Sequence, residues 1–496
     1  MQRQMSLTHM ERVTQAQGAA DGQAGALATP PPAKPAPVVA PVHSHGTRRS
    51  AAAAAAAAEV SGSAGGHGGG DRGAPSRCGF VFDARMLEHV PPEDVLHFEQ
   101  PGRVRAIFKR LHSEGLIAAC RQLPSAAATD EQLLAVHSPA HVARIDFFTS
   151  QDAAQGDADL YGSPGTPLAA RLAAGCVTAA ALAVLDGRVQ TAFALIRPPG
   201  HHAACARCSG FCLFNNVAVA ARAVQAAPGG TAERRKVAIV DFDVHHGDGT
   251  QAIFEEDPSV LYISLHRYGL GFFPSTGAAE DVGSGRGQGF SVNVPWTETG
   301  LTGQDYMAAF KWVILPILAH FAPDMLFISA GFDAADGDPL GGMALTPSAY
   351  AAMTSAMLAA LPPHGRAVIA LEGGYNEDAI AAAAEATVRA ALRFSGASAT
   401  VAPTPTMRRA RAHCQTAETL RAVRSVQRRH WPCLADTDAP FDAWAAEEEA
   451  AHKKAAGTEP RHHPPPEHAA EAAPAPAQEH RGHGVPEPRT PAREPL

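Results

Sequence analysis

An α/β domain built on a mainly parallel β-sheet, flanked by helices, is the fold class that this 496-residue sequence predicts. Three observations carry it. Short apolar runs rich in β-branched residues alternate with longer helical stretches, the pattern of strand–helix–strand units. The runs are apolar along their length, as strands covered on both faces must be. Polar clusters follow several of the runs directly, and in open parallel sheets ligands bind at the carboxyl ends of the strands.

Composition bounds the rest. With 46% hydrophobic and 18% charged residues, a sizeable core is available, but not along the whole chain. The formal net charge of -8 argues against direct sequence-specific nucleic-acid binding, which usually goes with a basic surface. Eight cysteines, unevenly spaced, do not read as a disulfide framework and point to a reducing compartment. No apolar run is expected to reach the roughly 18 residues of a membrane helix. The opening MQRQMSLTHMERV lacks the apolar stretch of a secretory signal.

Residues 1–77 read as a disordered low-complexity tail, with Pro/Ala runs, polyalanine 51–58 and a Gly/Ser/His stretch. Such a segment buries too little apolar surface to offset its ordering entropy. Its scarcity of acids and its scattered arginines leave organelle targeting open. Order begins with a strand at 78–82. Helices are expected at 102–116, 130–145 and 166–185, the last rich in alanine. Strands then fall at 191–196, 236–242, 260–266, 325–330 and 366–371. Helices at 215–227, 250–256, 303–321, 347–361 and 377–394 separate them. Past 396 the pattern dissolves, apart from a basic helical candidate at 418–430. The expected division is therefore an N-terminal tail (1–77), a self-contained folded domain (78–396) and a mostly disordered C-terminal tail (397–496). Histidines of that tail (His462, His463, His468) read as solvated groups.

The informative stretch is VAIVDFDVHHGDGTQ, residues 237–251. Residues two apart in an extended chain share a face, so Asp241, Asp243 and His245 project together from the strand's end. Carboxylate and imidazole form an oxygen/nitrogen set that suits zinc. The alternative, a capped strand-to-helix turn, leaves three burial-averse groups without a partner. Three other strands end in comparable groups: Arg197-Pro-Pro-Gly-His201-His202, Gly331-Phe332-Asp333 and Glu372-Gly-Gly-Tyr375. A site built from the four loops would offer two carboxylates and one imidazole to a metal, the arrangement of a catalytic zinc that keeps an open position. His201 and His202 could move protons, with Asp241 and Asp248 orienting them. Tyr375 could donate to an oxyanion. Taken singly, the histidines also read as a buried or capping pair, and Tyr375 as a core tyrosine.

The pieces RPPGHHA, GFCLFNN, DFDVHHGDGTQ, SLHRY, SAGFDAADGDPLGG and LEGGYN stand in an order that resembles the zinc-dependent histone deacetylase family, its class II branch in particular, over about 79–394. The resemblance implies the arginase/deacetylase fold. By position it makes Asp243, His245 and Asp333 zinc ligands, His201 and His202 the histidine pair with His202 as general base and acid, and Tyr375 the oxyanion-stabilising residue. It places Phe211 and Phe273 as walls of an acyl-lysine tunnel next to Gly210, with Leu340 at the rim. It also implies structural monovalent cations, K+ or Na+. One would be held at Asp241, Asp243, His245, Ser264 and Leu265, the other at Phe254, Asp257, Val260 and Phe290, mostly through carbonyl groups. One departure is AACARCS at 203–209, which carries Cys205 and Cys208 where no Cys-x-x-Cys is expected. The acetylpolyamine branch is similar, and one of its members has an acid at the position of Leu340.

The expected function is removal of acetyl groups from lysine side chains of histones or other proteins. Alternatives are the same chemistry on acetylated polyamines, a non-catalytic acetyl-lysine-binding scaffold, and a dimanganese ureohydrolase, which would need more carboxylates. Expected partners are acetylated proteins, with co-repressors or scaffolds on the tails and no membrane. The expected location is nucleus, cytoplasm or both.

Overall fold

The structure is a computed structural model. It describes residues 77–149, 159–229, 234–269, 271–362, 365–396 and 412–456. All of the expected N-terminal tail but Arg77, and the histidines beyond 456, lie outside the described residues.

Eight strands form one sheet: β1 (Cys78–Val81), β2 (Arg121–Gln122), β3 (Thr191–Ala194), β4 (Val237–Asp241), β5 (Val260–Arg267), β6 (Ser291–Trp296), β7 (Met325–Ala330) and β8 (Ala367–Leu371). Their order is β2-β1-β3-β8-β7-β4-β5-β6, and every pairing is parallel. Strands β1, β3, β4, β7 and β8 are buried at each residue, as a sheet with helices on both faces requires. The four strands that carry the polar loops, β3, β8, β7 and β4, are contiguous. Their carboxyl ends therefore lie side by side.

Several expectations are corrected. The two outermost strands were not expected. β2 is two exposed residues, and β6 contains Pro295, which a strand tolerates at a sheet edge, where one side needs no ladder donor. The helix expected at 130–145 is two, Asp130–Leu134 and Pro139–Asp146. Ser138 caps the second by accepting from His141 N, with Pro139 in the first turn, so a new start is encoded there. The stretch expected to be one helix at 303–321 carries a π-helical turn, Phe310–Ile314. Pro316 has no N–H, so the Trp312 carbonyl loses its helical donor. The Arg424 guanidinium donates to that carbonyl instead, at 2.6 Å.

Arg424 belongs to a segment that was expected to be tail. Helices Cys414–Gln427 and Asp438–Ala456 pack onto the domain, burying Leu420, Val423, Leu434, Phe441 and Ala445 in its core. Gln427 donates to Ser291 O and the Trp431 indole to Gly289 O, each at 2.9 Å. The boundary at 396 is too early, because the apolar residues of this segment are sparse in sequence and find their partners across the fold. A second correction concerns helix Thr166–Leu185, which by length and composition is apolar enough to cross a membrane. Here 72% of its apolar window is buried inside the domain, where alanine lets it pack closely on Asn216–Ala226.

Candidate active site

Asp243 and His245 leave the end of β4, and Asp333 follows β7. Their ligand atoms all lie within 4.8 Å of one another. His245 Nδ1 is 3.1 Å from Asp243 Oδ1 and 3.0 Å from Asp333 Oδ2, close to the roughly 3.3 Å edge of a tetrahedron with 2.0 Å bonds. Gly373, after β8, keeps the neighbouring space open. A Cβ there would come within 2.5 Å of Asp333 Oδ2, 2.6 Å of Asp243 Oδ2 and 3.1 Å of the Tyr375 hydroxyl. Backbone donors fix both carboxylates: Gly373 N to Asp243 and Val244 N to Asp333, each at 2.8 Å. Burial, together with the adjacent Asp243 charge, pushes Asp333 up to about 7. Two buried carboxylates beside one imidazole present the charge that a divalent cation offsets, so the residues fit a metal ion.

Two histidine–carboxylate pairs flank this cluster, their imidazole rings 4.0 Å apart. His201 Nδ1 lies 3.0 Å from Asp241 Oδ2, which also accepts from the Tyr262 hydroxyl at 3.1 Å. His202 Nδ1 lies 2.8 Å from Asp248 Oδ1. An ionised carboxylate only accepts, so each histidine turns its Nδ1–H to its partner, with Nε2 on the far side of the ring. Burial and the charge of His201 hold His202 down to about 4 against the pull of Asp248. It is therefore neutral near pH 7. The loop that carries both histidines is fastened from below. Glu372, at the end of β8, accepts from Gly200 N at 2.7 Å, His201 N at 3.2 Å and the Ser329 hydroxyl at 3.1 Å.

Tyr375 sits on a loop that its neighbours hold in place. Gly374 adopts φ +112°, a backbone conformation that side chains rarely reach. Arg103, itself buried, donates to the carbonyls of Gly374 and Glu372, and its guanidinium lies 5.0 Å from the centre of the Tyr375 ring. Around the mouth, Phe211 meets Tyr375 edge-on at 5.6 Å and Phe273 meets His202 edge-on at 4.9 Å. Gly210 (φ +52°) lets this wall close up, since a Cβ there would lie 2.5 Å from His202 and 2.9 Å from Phe273. Leu340 is half-buried, its N–H bonded to Asp338 at 2.9 Å.

The fold thus brings Asp241, Asp243, His245, Asp333, His201, His202, Asp248 and Tyr375 together, with Gly210, Phe211 and Phe273 at the mouth. Ser264 is the register partner of Asp241 on β5, and Leu265 follows it. Phe254, Asp257, Val260 and Phe290 lie elsewhere, at the amino-terminal ends of β5 and β6. There Asp257 N bonds Phe254 O, Val260 N bonds Asp257 O, and Tyr262 N bonds Phe290 O. The Asp257 carboxylate is taken by Arg222 and Ser259.

The sequence reading missed several residues. Phe272 stacks on His245 at 5.0 Å. Asp338 accepts from Tyr375 N. Glu99 lies buried between Arg103 and Arg197, at 3.0 and 2.8 Å. Only the four-residue spacing of Glu99 and Arg103 was a signal in the sequence. Arg207 on the Asp248 carboxylate was also missed. Of the two unexpected loop cysteines, Cys205 is exposed and Cys208 buried.

Fold and site together define an α/β protein with a buried cluster of candidate metal-donor residues at the carboxyl ends of parallel strands. The sequence matches the histone deacetylase domain family over residues 97–391, and the chain belongs to that family. It is 43% identical over 371 residues to Histone deacetylase 15 of Arabidopsis thaliana, covering 74% of this chain and 65% of that protein. It is 39% identical over 376 residues to Histone deacetylase clr3 of Schizosaccharomyces pombe (72% and 53% covered). It is 40% identical over 350 residues to Polyamine deacetylase HDAC10 of Homo sapiens (68% and 50%). The chain thus spans about half to two-thirds of the length of these relatives. A crystal structure of the HDA15 HD domain matches with a TM-score of 0.67 at 43% identity, covering 75% of this chain and 99% of that one.

Proposed function

We propose that this chain is a zinc-dependent deacetylase that hydrolyses the acetyl amide of acetyl-lysine side chains in histones or other proteins. The observation that carries the reading is one cluster in which three metal-donor residues, two histidine–carboxylate pairs and a tyrosine hydroxyl converge at an aromatic mouth. Asp243, His245 and Asp333 would hold the zinc; when bound, it supplies Lewis-acid polarisation of the acyl carbonyl and a lowered pKa for water. His202, neutral and held by Asp248, takes the proton of the attacking water at Nε2 and returns it to the departing lysine amine. His201, paired with Asp241, keeps a second imidazole against the reacting centre. The Tyr375 hydroxyl donates to the developing oxyanion. Phe211, Phe273 and the apolar rim at Leu340 favour a neutral acylated chain over free charged lysine. Structural K+ or Na+ at the sites around Ser264 and Asp257, co-repressor or scaffold partners on the tails, and work in nucleus or cytoplasm complete the reading.

The second reading is hydrolysis of acetylated polyamines, favoured by the 40% identity to a polyamine deacetylase. Turnover of acetyl-lysine peptide against N-acetylated polyamine, with and without a zinc chelator, tests both. The proposal expects chelator-sensitive turnover with peptide preferred. Polyamine preference moves the assignment to the second reading, and turnover that survives zinc removal overturns both.

A further inference from the structure

The two histidine–carboxylate pairs of the site differ in what stands behind the carboxylate. Asp241 is fully buried, and its further partners are uncharged, the Tyr262 hydroxyl at 3.1 Å and the backbone N–H of Asp243 at 3.2 Å. Asp248 divides its oxygens between His202 Nδ1, at 2.8 Å on Oδ1, and the Arg207 guanidinium, at 2.6 Å on Oδ2. Arg207 closes a short hairpin in which Ala204 N donates to Arg207 O at 2.9 Å, with Cys205 and Ala206 at the tip. Its side chain is 54% exposed and reaches back over a carboxylate that is 13% exposed. The hairpin is the AACARCS stretch that departed from expectation in the sequence.

A carboxylate near solvent with one imidazole partner can turn about its terminal torsion and hydrate, because that torsion is broad. A charge-assisted bond on the second oxygen removes this freedom and aims the first. Outer partners of this kind set the tautomer and orientation of a working imidazole.

We propose that Arg207 is a positioning residue for the reaction: it pins the Asp248 carboxylate so that His202 keeps its proton on Nδ1 and its Nε2 lone pair toward the substrate. The assignment rests on the deacetylase reading above. In the full zinc-loaded chain, Arg207→Ala is expected to lower kcat on acetyl-lysine peptide about tenfold, with KM, zinc content and Tm near parental values. Arg207→Lys recovers most of the loss, and added guanidinium ion restores part of it in the alanine variant. In an Asp248→Asn background, Arg207→Ala costs nothing more, because the carboxylate it pins is gone. A readout independent of turnover is the downfield N–H proton resonance of His202, identified by its absence in His202→Gln. It should be lost in Arg207→Ala and kept in Arg207→Lys. A parental kcat and an unchanged resonance in Arg207→Ala would overturn the assignment, as would a full additional loss in the Asp248→Asn background. A parental chain that turns over no acetylated amide defeats the deacetylase reading instead, and the resonance still decides the role of Arg207.

Discussion

The carboxylate of Asp338 accepts from the backbone N–H of Tyr375 at 2.7 Å. Its other oxygen accepts from Leu340 N at 2.9 Å and Gly341 N at 3.1 Å. One side chain therefore ties the tyrosine loop to the turn at Leu340 and Gly341. Asp338→Asn removes the charge and one accepting oxygen. Bonds to a charged group contribute about 1.5–3 kcal/mol, so kcat/KM should fall by about tenfold or more. Combined with Tyr375→Phe, the two losses should be less than additive, since both act through one hydroxyl. Steady-state kinetics of the two single variants and the double variant would expose independent action as full additivity.

Tyr375→Phe keeps the ring's contacts with Phe211 and Arg103 and deletes the hydroxyl. Losing one oxyanion donor costs on the order of 10²–10³ in rate. We expect that fall in kcat, with KM, zinc content and Tm near parental values. A near-parental kcat in the zinc-loaded variant would make this a packing tyrosine.

Asp333→Asn should lose zinc and turnover together. The carboxylate closes the donor set with Asp243 and His245, and its charge is part of what offsets a dication. Elemental analysis of the purified variant checks this; full occupancy would mean that the ligand lies elsewhere.

The segment 412–456 should be needed for a stable domain, against the expectation that residue 396 suffices. It contributes Leu420, Val423, Leu434 and Phe441 to the core, each worth about 1.5–3 kcal/mol when fully buried. Their sum is comparable to the roughly 5–15 kcal/mol stability of a whole protein. A chain ending at 396 should be insoluble or melt well below one ending at 456. Equal melting temperatures of the two would refute this.

Acid should destabilise the protein partly through His137. Its Nδ1 lies 3.1 Å from Ala204 O and its Nε2 accepts from Asn215 N at 3.0 Å, so it must be neutral. Burial and neighbouring His141 lower it to about 4. The folded value lies below the unfolded one, about 6.5. The unfolded chain therefore binds the extra proton as pH drops. The contribution is intact above pH 6.5 and is lost between there and pH 4, on the order of 3 kcal/mol. Denaturant unfolding across that window should show a shallower pH slope for His137→Asn; an unchanged slope would remove His137 from the account.

The inner strands β1, β3, β4, β5, β7 and β8 were legible from their apolar runs, and the strand-end groups from their position directly after them. Both signals are local, because burial on two faces is written into consecutive residues. Asp241, Asp243 and His245 were legible as polar groups directly after an apolar run, but β4 ends at Asp241, and the bend that follows rather than strand alternation sets Asp243 beside His245. The edge strand β6 was not legible, since Pro295 and Asn293 break its apolar run. Nor were the residues that act from outside a motif. Glu99 meets Arg197 across 98 positions, and Arg424 reaches a carbonyl 112 positions away.

The sequence by itself thus determined the fold class, the inner strands and the residue types a metal centre would need. Tertiary structure alone decided that β3, β8, β7 and β4 are neighbours, so that four separate loops become one site. It also decided that Asp338 and Arg103 hold the Tyr375 loop, that Arg207 meets the Asp248 carboxylate, and that the domain continues past residue 396. The reason is that periodicity records how each segment is buried, whereas strand order and charge partnerships depend on pairings between distant segments, which no local pattern encodes.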